Sequence, residues 1–202
     1  PGWSGTKATG RMYYYSATRL EVTGTFEGEP VTGTAWLDHQ WGGGDGDGSA
    51  SLVPRWDWFA IQLEDGRDLM VYRIRDENGN IADQFVSITN PDGSVTEDRK
   101  FIMQPWQWWT SPKSGGRYPI NWWIKLSDGT SLTVRAVTPD QEVESRATSG
   151  FNYYEGAVTV GGSAKGVGYA ELTGYAPSGA RVGGLSSAST KLQPLELDSL
   201  HD

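Results

Sequence analysis

Asp-Gly and Asn-Gly pairs recur along this chain at short, even intervals, and no other feature constrains its fold as strongly. They sit in Glu64-Asp-Gly66, Glu77-Asn-Gly-Asn80, Asn90-Pro-Asp-Gly93 and Ser127-Asp-Gly129, with related turn signals in Glu27-Gly-Glu-Pro30 and Gly161-Gly-Ser-Ala-Lys-Gly166. Such pairs supply the positive φ angles that tight hairpins need. Between them lie runs rich in Val, Ile, Thr and aromatics: Trp56–Leu63, Leu69–Arg75, Ile81–Thr89, Trp122–Leu126, Leu132–Val137, Phe151–Val160 and Val167–Tyr175. The pattern predicts strands joined as neighbouring hairpins, and no segment carries a convincing 3.6-residue amphipathic period.

A meander of about ten strands would leave exposed edges, and closing it removes them. The expected fold is therefore all-β, an antiparallel up-and-down lipocalin-like barrel, with a two-sheet sandwich as the alternative. Residues 1–176 are expected to form the barrel, and 177–202, broken by Ser, Gly and Pro, an extension or linker. Two segments depart from the meander. Gly42–Ser51 is expected to be a mobile glycine- and aspartate-rich loop, and Gln104–Tyr118 a Pro/Trp/Gly stretch that covers the barrel mouth.

Composition narrows the function. The 202 residues suit one domain, and 17 Lys+Arg against 25 Asp+Glu, a net charge of -8, argue against binding nucleic acid or anionic membranes. With 10 Trp and 9 Tyr in a chain only 37% hydrophobic, aromatic rings must supply much of the buried surface. The absence of cysteine excludes disulfides, thiolate zinc sites and a cysteine nucleophile. His39 and His201 are the only histidines, so a multi-histidine metal centre is excluded. Asp45-Gly-Asp47-Gly48 lacks the third carboxylate and terminal Glu of a calcium loop, and neither a metal nor a cofactor is expected. There is no apolar run long enough to span a membrane, and Pro1-Gly-Trp-Ser-Gly5 has neither the charge nor the apolar stretch of a signal peptide.

The densest constellation is Gly33-Thr-Ala-Trp-Leu-Asp-His-Gln-Trp-Gly42, which joins an acid or base (Asp38, His39) to aromatic walls (Trp36, Trp41). Imidazoles are versatile proton-transfer groups; the plainer reading is a strand end that ties down the following loop. Alternation sets Trp56 and Trp58 on one face and Asp57 on the other, where Asp57 reads as the buried partner of an arginine. Tyr72 and Arg73 occupy opposite faces, so one of them points inward. On Val167–Tyr175 one face carries Tyr169, Glu171, Thr173 and Tyr175, a polar-aromatic lining; on Phe151–Val160, Glu155 and Tyr154 fall on opposite faces. Trp106, Trp108, Trp109, Trp122 and Trp123 suit either a pocket or the core.

Trp36-Leu-Asp-His-Gln-Trp-Gly42, Arg55-Trp-Asp-Trp-Phe-Ala-Ile-Gln-Leu-Glu-Asp-Gly66 and Leu69-Met-Val-Tyr-Arg-Ile-Arg75 resemble, in that order, the second half of the hydroxyneurosporene synthase (carotenoid 1,2-hydratase) family. Tyr118-Pro, Pro139-Asp-Gln-Glu142, Tyr153-Tyr-Glu-Gly-Ala157 and Gly168-Tyr-Ala-Glu-Leu-Thr-Gly-Tyr175 extend the resemblance over residues 11–176. It implies a pair of lipocalin-like barrels with a ligand site near their junction, so that either a partner barrel would precede residue 1 or the chain is a natural single-domain member. It also implies cofactor-free, redox-neutral chemistry on apolar polyene or prenyl substrates, the theme of relatives that include a kievitone hydratase, fungal Diels–Alderases and proteins labelled secreted hydrolases.

Carried over residue by residue, the family's His-x-Trp falls on His39 and Trp41, and the tyrosine of its Tyr-x-Asp on Tyr72. The aspartate is absent, because this chain reads Tyr72-Arg73-Ile74. Hydrating an alkene needs a carboxylic acid kept neutral by burial, and the substitutes are Asp38, Asp57 or Glu155. The expected catalytic set is therefore His39, Tyr72 and Asp38, with Trp36, Trp41, Trp56, Trp58, Arg73, Tyr154, Glu155 and Glu171 holding an apolar ligand. Three readings remain open at this point: a hydratase, isomerase or cyclase; a lipocalin-like carrier; and a polysaccharide binder that stacks sugars on Trp106, Trp108 and Trp109.

Overall fold

The structure is a computed structural model that describes residues 2–4, 12–42, 55–76 and 78–177. The expected loop Gly42–Ser51, apart from Gly42, and the 177–202 extension, apart from Pro177, lie outside the described residues. With 65% of residues in strands and 3% in helix, the chain is all-β, as the turn spacing predicts. The elements in order are β1 (Trp3–Ser4), β2 (Met12–Phe26), β3 (Glu29–Trp41), β4 (Trp56–Leu63), β5 (Asp68–Arg75), β6 (Ile81–Thr89), β7 (Val95–Asp98), β8 (Ile102–Thr110), β9 (Arg117–Lys125), β10 (Ser131–Ala136), β11 (Glu142–Val143), α1 (Arg146–Ser149), β12 (Tyr153–Gly162) and β13 (Gly166–Leu172).

Ten of these strands form one antiparallel sheet in the order β7-β6-β5-β4-β13-β12-β10-β9-β8, with β11 also on β12. The sheet curls into a half-barrel, and its inner face holds the core. Phe59, Ile61, Leu69, Val71, Val86, Ile124, Leu132 and Val134 have no exposed surface, and burial of each is worth on the order of 1.5–3 kcal/mol. The meander's ends meet where β13 pairs β4, and the ladder is open between β7 and β8 instead. Side chains span that opening: Arg73 donates to the Met103 carbonyl (2.8 Å), and Asp98 accepts from the Ser127 amide (2.7 Å). Where β13 nears β4 only glycine fits, since a Cβ on Gly168 would sit 2.2 Å from the Ala60 carbonyl oxygen.

Gln104–Tyr118 is not a long cover over the barrel mouth. Most of it is strand β8 and the start of β9, joined by a short turn. Pro105 is tolerated because β8 is an edge strand, where a missing N–H costs no ladder bond, and register shifts flank Gln107. Glu142 secures the turn, accepting hydrogen bonds from Ser111, Ser114 and the Tyr118 hydroxyl (2.7 Å).

The remaining strands, β1, β2 and β3, make a second sheet dominated by a long hairpin that turns at Glu27-Gly28, both with positive φ. This hairpin leaves the meander and lies over the outer face of β4 and β5. A register shift between Ala17 and Leu20 brings Thr18 and Arg19 onto buried Asp68: Thr18 Oγ1 donates at 2.8 Å and Arg19 forms an ion pair. Gln62 Nε2 donates to the Thr18 carbonyl (2.6 Å), and Thr34 Oγ1 donates to Gln62 Oε1 (2.7 Å).

Candidate functional site

The hairpin's contacts with the sheet leave a cleft between them, and strand register decides which side chains line it. Tyr72 on β5 pairs with Trp58 on β4, Trp58 with Glu171 on β13, and Glu171 with Glu155 on β12. Directly paired residues point to the same side, so these four form one row across the outer face at strand spacings of about 4.8 Å. From above, β3 lowers Trp36 and Asp38, and β2 lowers Tyr14. The cleft has two chambers that share Asp38, Trp58 and Glu171. One, of about 460 Å³, is also lined by Trp36, Gln62, Glu155 and Tyr169. The other, of about 310 Å³, adds Met12, Tyr14, Trp56, Met70 and Tyr72.

Glu171 is the chemically distinctive group. Burial pushes its carboxyl above the usual glutamate range, and the Glu155 and Asp38 carboxylates push the same way. Trp56 Nε1, donating to Glu171 Oε1 at 3.0 Å, only partly opposes this. Asp38 accepts from Ser16 Oγ (2.6 Å) and from Trp36 Nε1 (2.7 Å). Trp58 Nε1 donates to the Tyr14 hydroxyl oxygen (3.3 Å), which bridges hairpin and sheet. Burial raises the Tyr14 and Tyr72 hydroxyls, which keeps both protonated and able to donate. The rings of Trp36 and Trp58 meet edge-on at 6.1 Å.

Seven of the residues expected from sequence converge here: Asp38, Tyr72, Trp36, Trp56, Trp58, Glu155 and Glu171. The other four stand elsewhere. His39 and Trp41 lie on the opposite face of β3, because alternation turns them away from Asp38. There Trp41 stacks on Tyr13, and His39 packs at a tilt between Tyr15 and Trp41, its Nδ1 3.3 Å from the Tyr15 hydroxyl. Arg73 and Tyr154 point into the half-barrel. Arg73 bonds Met103 and Gln84, and Tyr154 donates to the Thr138 carbonyl (3.2 Å). Tyr14, Met70 and Tyr169 belong to the lining although sequence reasoning did not assign them to the site; alternation alone put Tyr169 beside Glu171.

Asp57, a proposed substitute acid, is on the inner face. It meets Arg75 (3.4 Å) and accepts from the Tyr175 hydroxyl (2.6 Å), the buried pairing its position in the sequence suggests. Trp122 is core, whereas Trp108 and Trp123 are partly exposed. Trp108 and Trp109 pack against Tyr175 and Tyr118 respectively, and Trp106 stacks on Trp123, so Trp106, Trp108 and Trp109 do not make one planar sugar platform. Among the described residues no helix is long and apolar enough to cross a membrane.

The model of the family described as AttH-like matches residues 2–175. A crystal structure of an AttH protein from Nitrosomonas europaea is 35% identical with a TM-score of 0.73, over 86% of this chain and 56% of that one. Kievitone hydratase from Nectria haematococca shares the fold at 20% identity and a TM-score of 0.65, over 85% of this chain and 55% of its own. The chain thus spans little more than half the length of either structure, and no curated protein matches it. The comparisons do not bear out the specific resemblance to hydroxyneurosporene synthases; this chain belongs to the AttH-like family.

Proposed function

We propose that the cleft binds a largely apolar small molecule of polyene or prenyl type, and that Glu171 protonates it in a cofactor-free, redox-neutral reaction of the hydratase kind. One observation carries the reading: a carboxyl whose neutral form is favoured by burial stands in an aromatic cleft between Trp58 and Glu155. It supplies the acid that the missing aspartate after Tyr72 leaves unfilled. The Glu171 proton adds to one carbon of a double bond, and the cation formed on the other is stabilised by the faces of Trp36 and Trp58 and by nearby carboxylates. Water then bonds to that carbon and loses its proton to Asp38 or Glu155, so that the net change is addition of one water. Isomerisation or ring closure would use the same walls, with the Tyr14 and Tyr72 hydroxyls as donors to a polar group on the ligand.

Because the chain spans little more than half the length of either relative, a second barrel is part of this proposal. It would meet the exposed face of β3 that carries His39 and Trp41. A carrier that holds its ligand unchanged is the second reading, favoured because His39, the only histidine among the described residues, faces away from the cleft. Incubating the chain with a panel of prenylated phenols and polyenes in heavy-oxygen water separates the two. Incorporation of labelled oxygen that disappears in Glu171→Gln supports the enzyme. Ligand recovered unaltered from a stable complex supports the carrier and overturns the catalytic role.

A further inference from the structure

The larger chamber brings three carboxyls together, and among the described residues none of them has an ion-pair partner. Glu155 and Glu171 are directly opposite on paired strands, and Asp38 closes over them from the hairpin. Like charges in that position destabilise a sheet. Two of these carboxyls are nevertheless held in place by neutral donors, Asp38 by Ser16 and Trp36 and Glu171 by Trp56, while Glu155 pushes the pKa of the neighbouring Tyr153 hydroxyl up to about 12. None of the ion pairs among the described residues includes Asp38, Glu155 or Glu171. Among the described residues, then, no Lys or Arg pairs with these carboxyls.

Aromatic rings stand around those carboxyls. Trp36 and Trp58 bound the chamber from above and below, and Tyr169 bounds its side. Ring faces carry negative potential, and the volume of about 460 Å³ takes a group far larger than a bare ion. A metal is the wrong occupant, because among the described residues no three Asp, Glu or His side chains group closely enough to hold one. The adjoining chamber is lined by Met12, Met70, Trp56 and Tyr72, surroundings suited to an apolar body. The chain's net charge of -8 adds a long-range attraction of the same sign.

We infer that the cleft takes an organic cation, a quaternary or protonated amine joined to an apolar body, with the ammonium among Trp36, Trp58, Tyr169, Glu155 and Glu171. The inference rests on the reading of the cleft as the ligand site, and it does not require proton transfer by Glu171. Choline is the probe, and its control is the uncharged alcohol in which carbon replaces the nitrogen. Calorimetric titration of the 202-residue chain should give choline about 10-fold tighter binding than its isostere, a preference weakened by salt. Glu155→Gln and Trp58→Leu should each erase most of that preference, and Glu155→Gln, on a partly exposed outer face, tests it even if Trp58→Leu fails to fold.

Equal affinity for the two probes, no choline binding, or a preference that survives Glu155→Gln overturns the inference. So does displacement of choline by calcium chloride no better and no worse than by sodium chloride of equal ionic strength combined with an unchanged Trp58→Leu titration, the signature of diffuse attraction. A choline preference without any turnover leaves this inference intact and removes the acid role of Glu171. Turnover of neutral prenyl substrates without that preference does the reverse.

Discussion

Asp57 and Glu171 are carboxyls taken out of water on neighbouring strands, β4 and β13, and the groups that meet them differ in sign. Asp57, on the inner face, is met by Arg75 and the Tyr175 hydroxyl, with Arg73 adding a favourable field; these pull against burial, which pushes its carboxyl up. Glu171, on the outer face, is met by one indole N–H and two further carboxylates, so charge and burial push together. The inner cluster spends its charges on structure. Arg75 also donates to the Thr173 carbonyl (2.9 Å), pinning the segment after β13 across the end of the half-barrel. The outer cluster leaves its charge facing a cavity, where the fold gains nothing from it.

The most forceful way to break the comparison is at the inner carboxyl. Asp57→Ala leaves the Arg75 charge and the Tyr175 hydroxyl buried without their acceptor, and the loss should be about 3–5 kcal/mol in denaturant unfolding. A companion change, Asp57→Leu with Arg75→Met, removes both charges and should recover much of that loss. If Asp57→Ala unfolds with wild-type stability, the cluster does not hold the segment.

At the outer carboxyl the expectation inverts. Glu171→Gln keeps shape and the bond from Trp56 and removes only the proton donor, so turnover should fall by about 100-fold or more while the fold persists. A smaller effect on stability runs with pH. The raised carboxyl favours the neutral form in the folded state, so its contribution is fully present below the ordinary glutamate range and is lost as pH rises through the raised value. Glu171→Gln should match wild type in acid and exceed it above neutrality by about 0.2–1 kcal/mol, read from melting temperature against pH. A variant less stable than wild type at high pH would show Glu171 to be structural.

Much of this contrast was legible in the chain, and the reason for the rest is specific. Alternation put Trp56 with Trp58, set Asp57 opposite them, and separated Tyr72 from Arg73. It also separates Asp38 from His39, which the motif Trp36-Leu-Asp-His-Gln-Trp41 obscures by packing both into one stretch. Alternation cannot say which face is inside. That depends on the cross-strand register that lines up Tyr72, Trp58, Glu171 and Glu155, and on the hairpin of β2 and β3 folding over the outer face. The polar-aromatic lining that alternation marks on β13 therefore falls on the outside of the half-barrel, because Phe59, Ile61 and Val71 occupy the inside.

The finest cut falls between adjacent residues on one strand. Trp36 and Leu37 are neighbours on β3, yet Trp36 bounds the cleft and Leu37 is 48% exposed on the far face. Leu37→Ser removes a side chain that already meets water, so stability should shift by no more than about 0.5 kcal/mol, with cleft binding unchanged. Trp36→Ala, by contrast, takes away a ring face and the N–H that orients Asp38, and should weaken choline binding by several-fold. Calorimetry on the two variants compares the faces at a separation of one residue. Equal losses of binding would mean that the hairpin acts as a whole, through its hold on the sheet; a loss confined to Trp36 places recognition on the side of β3 that faces Glu171.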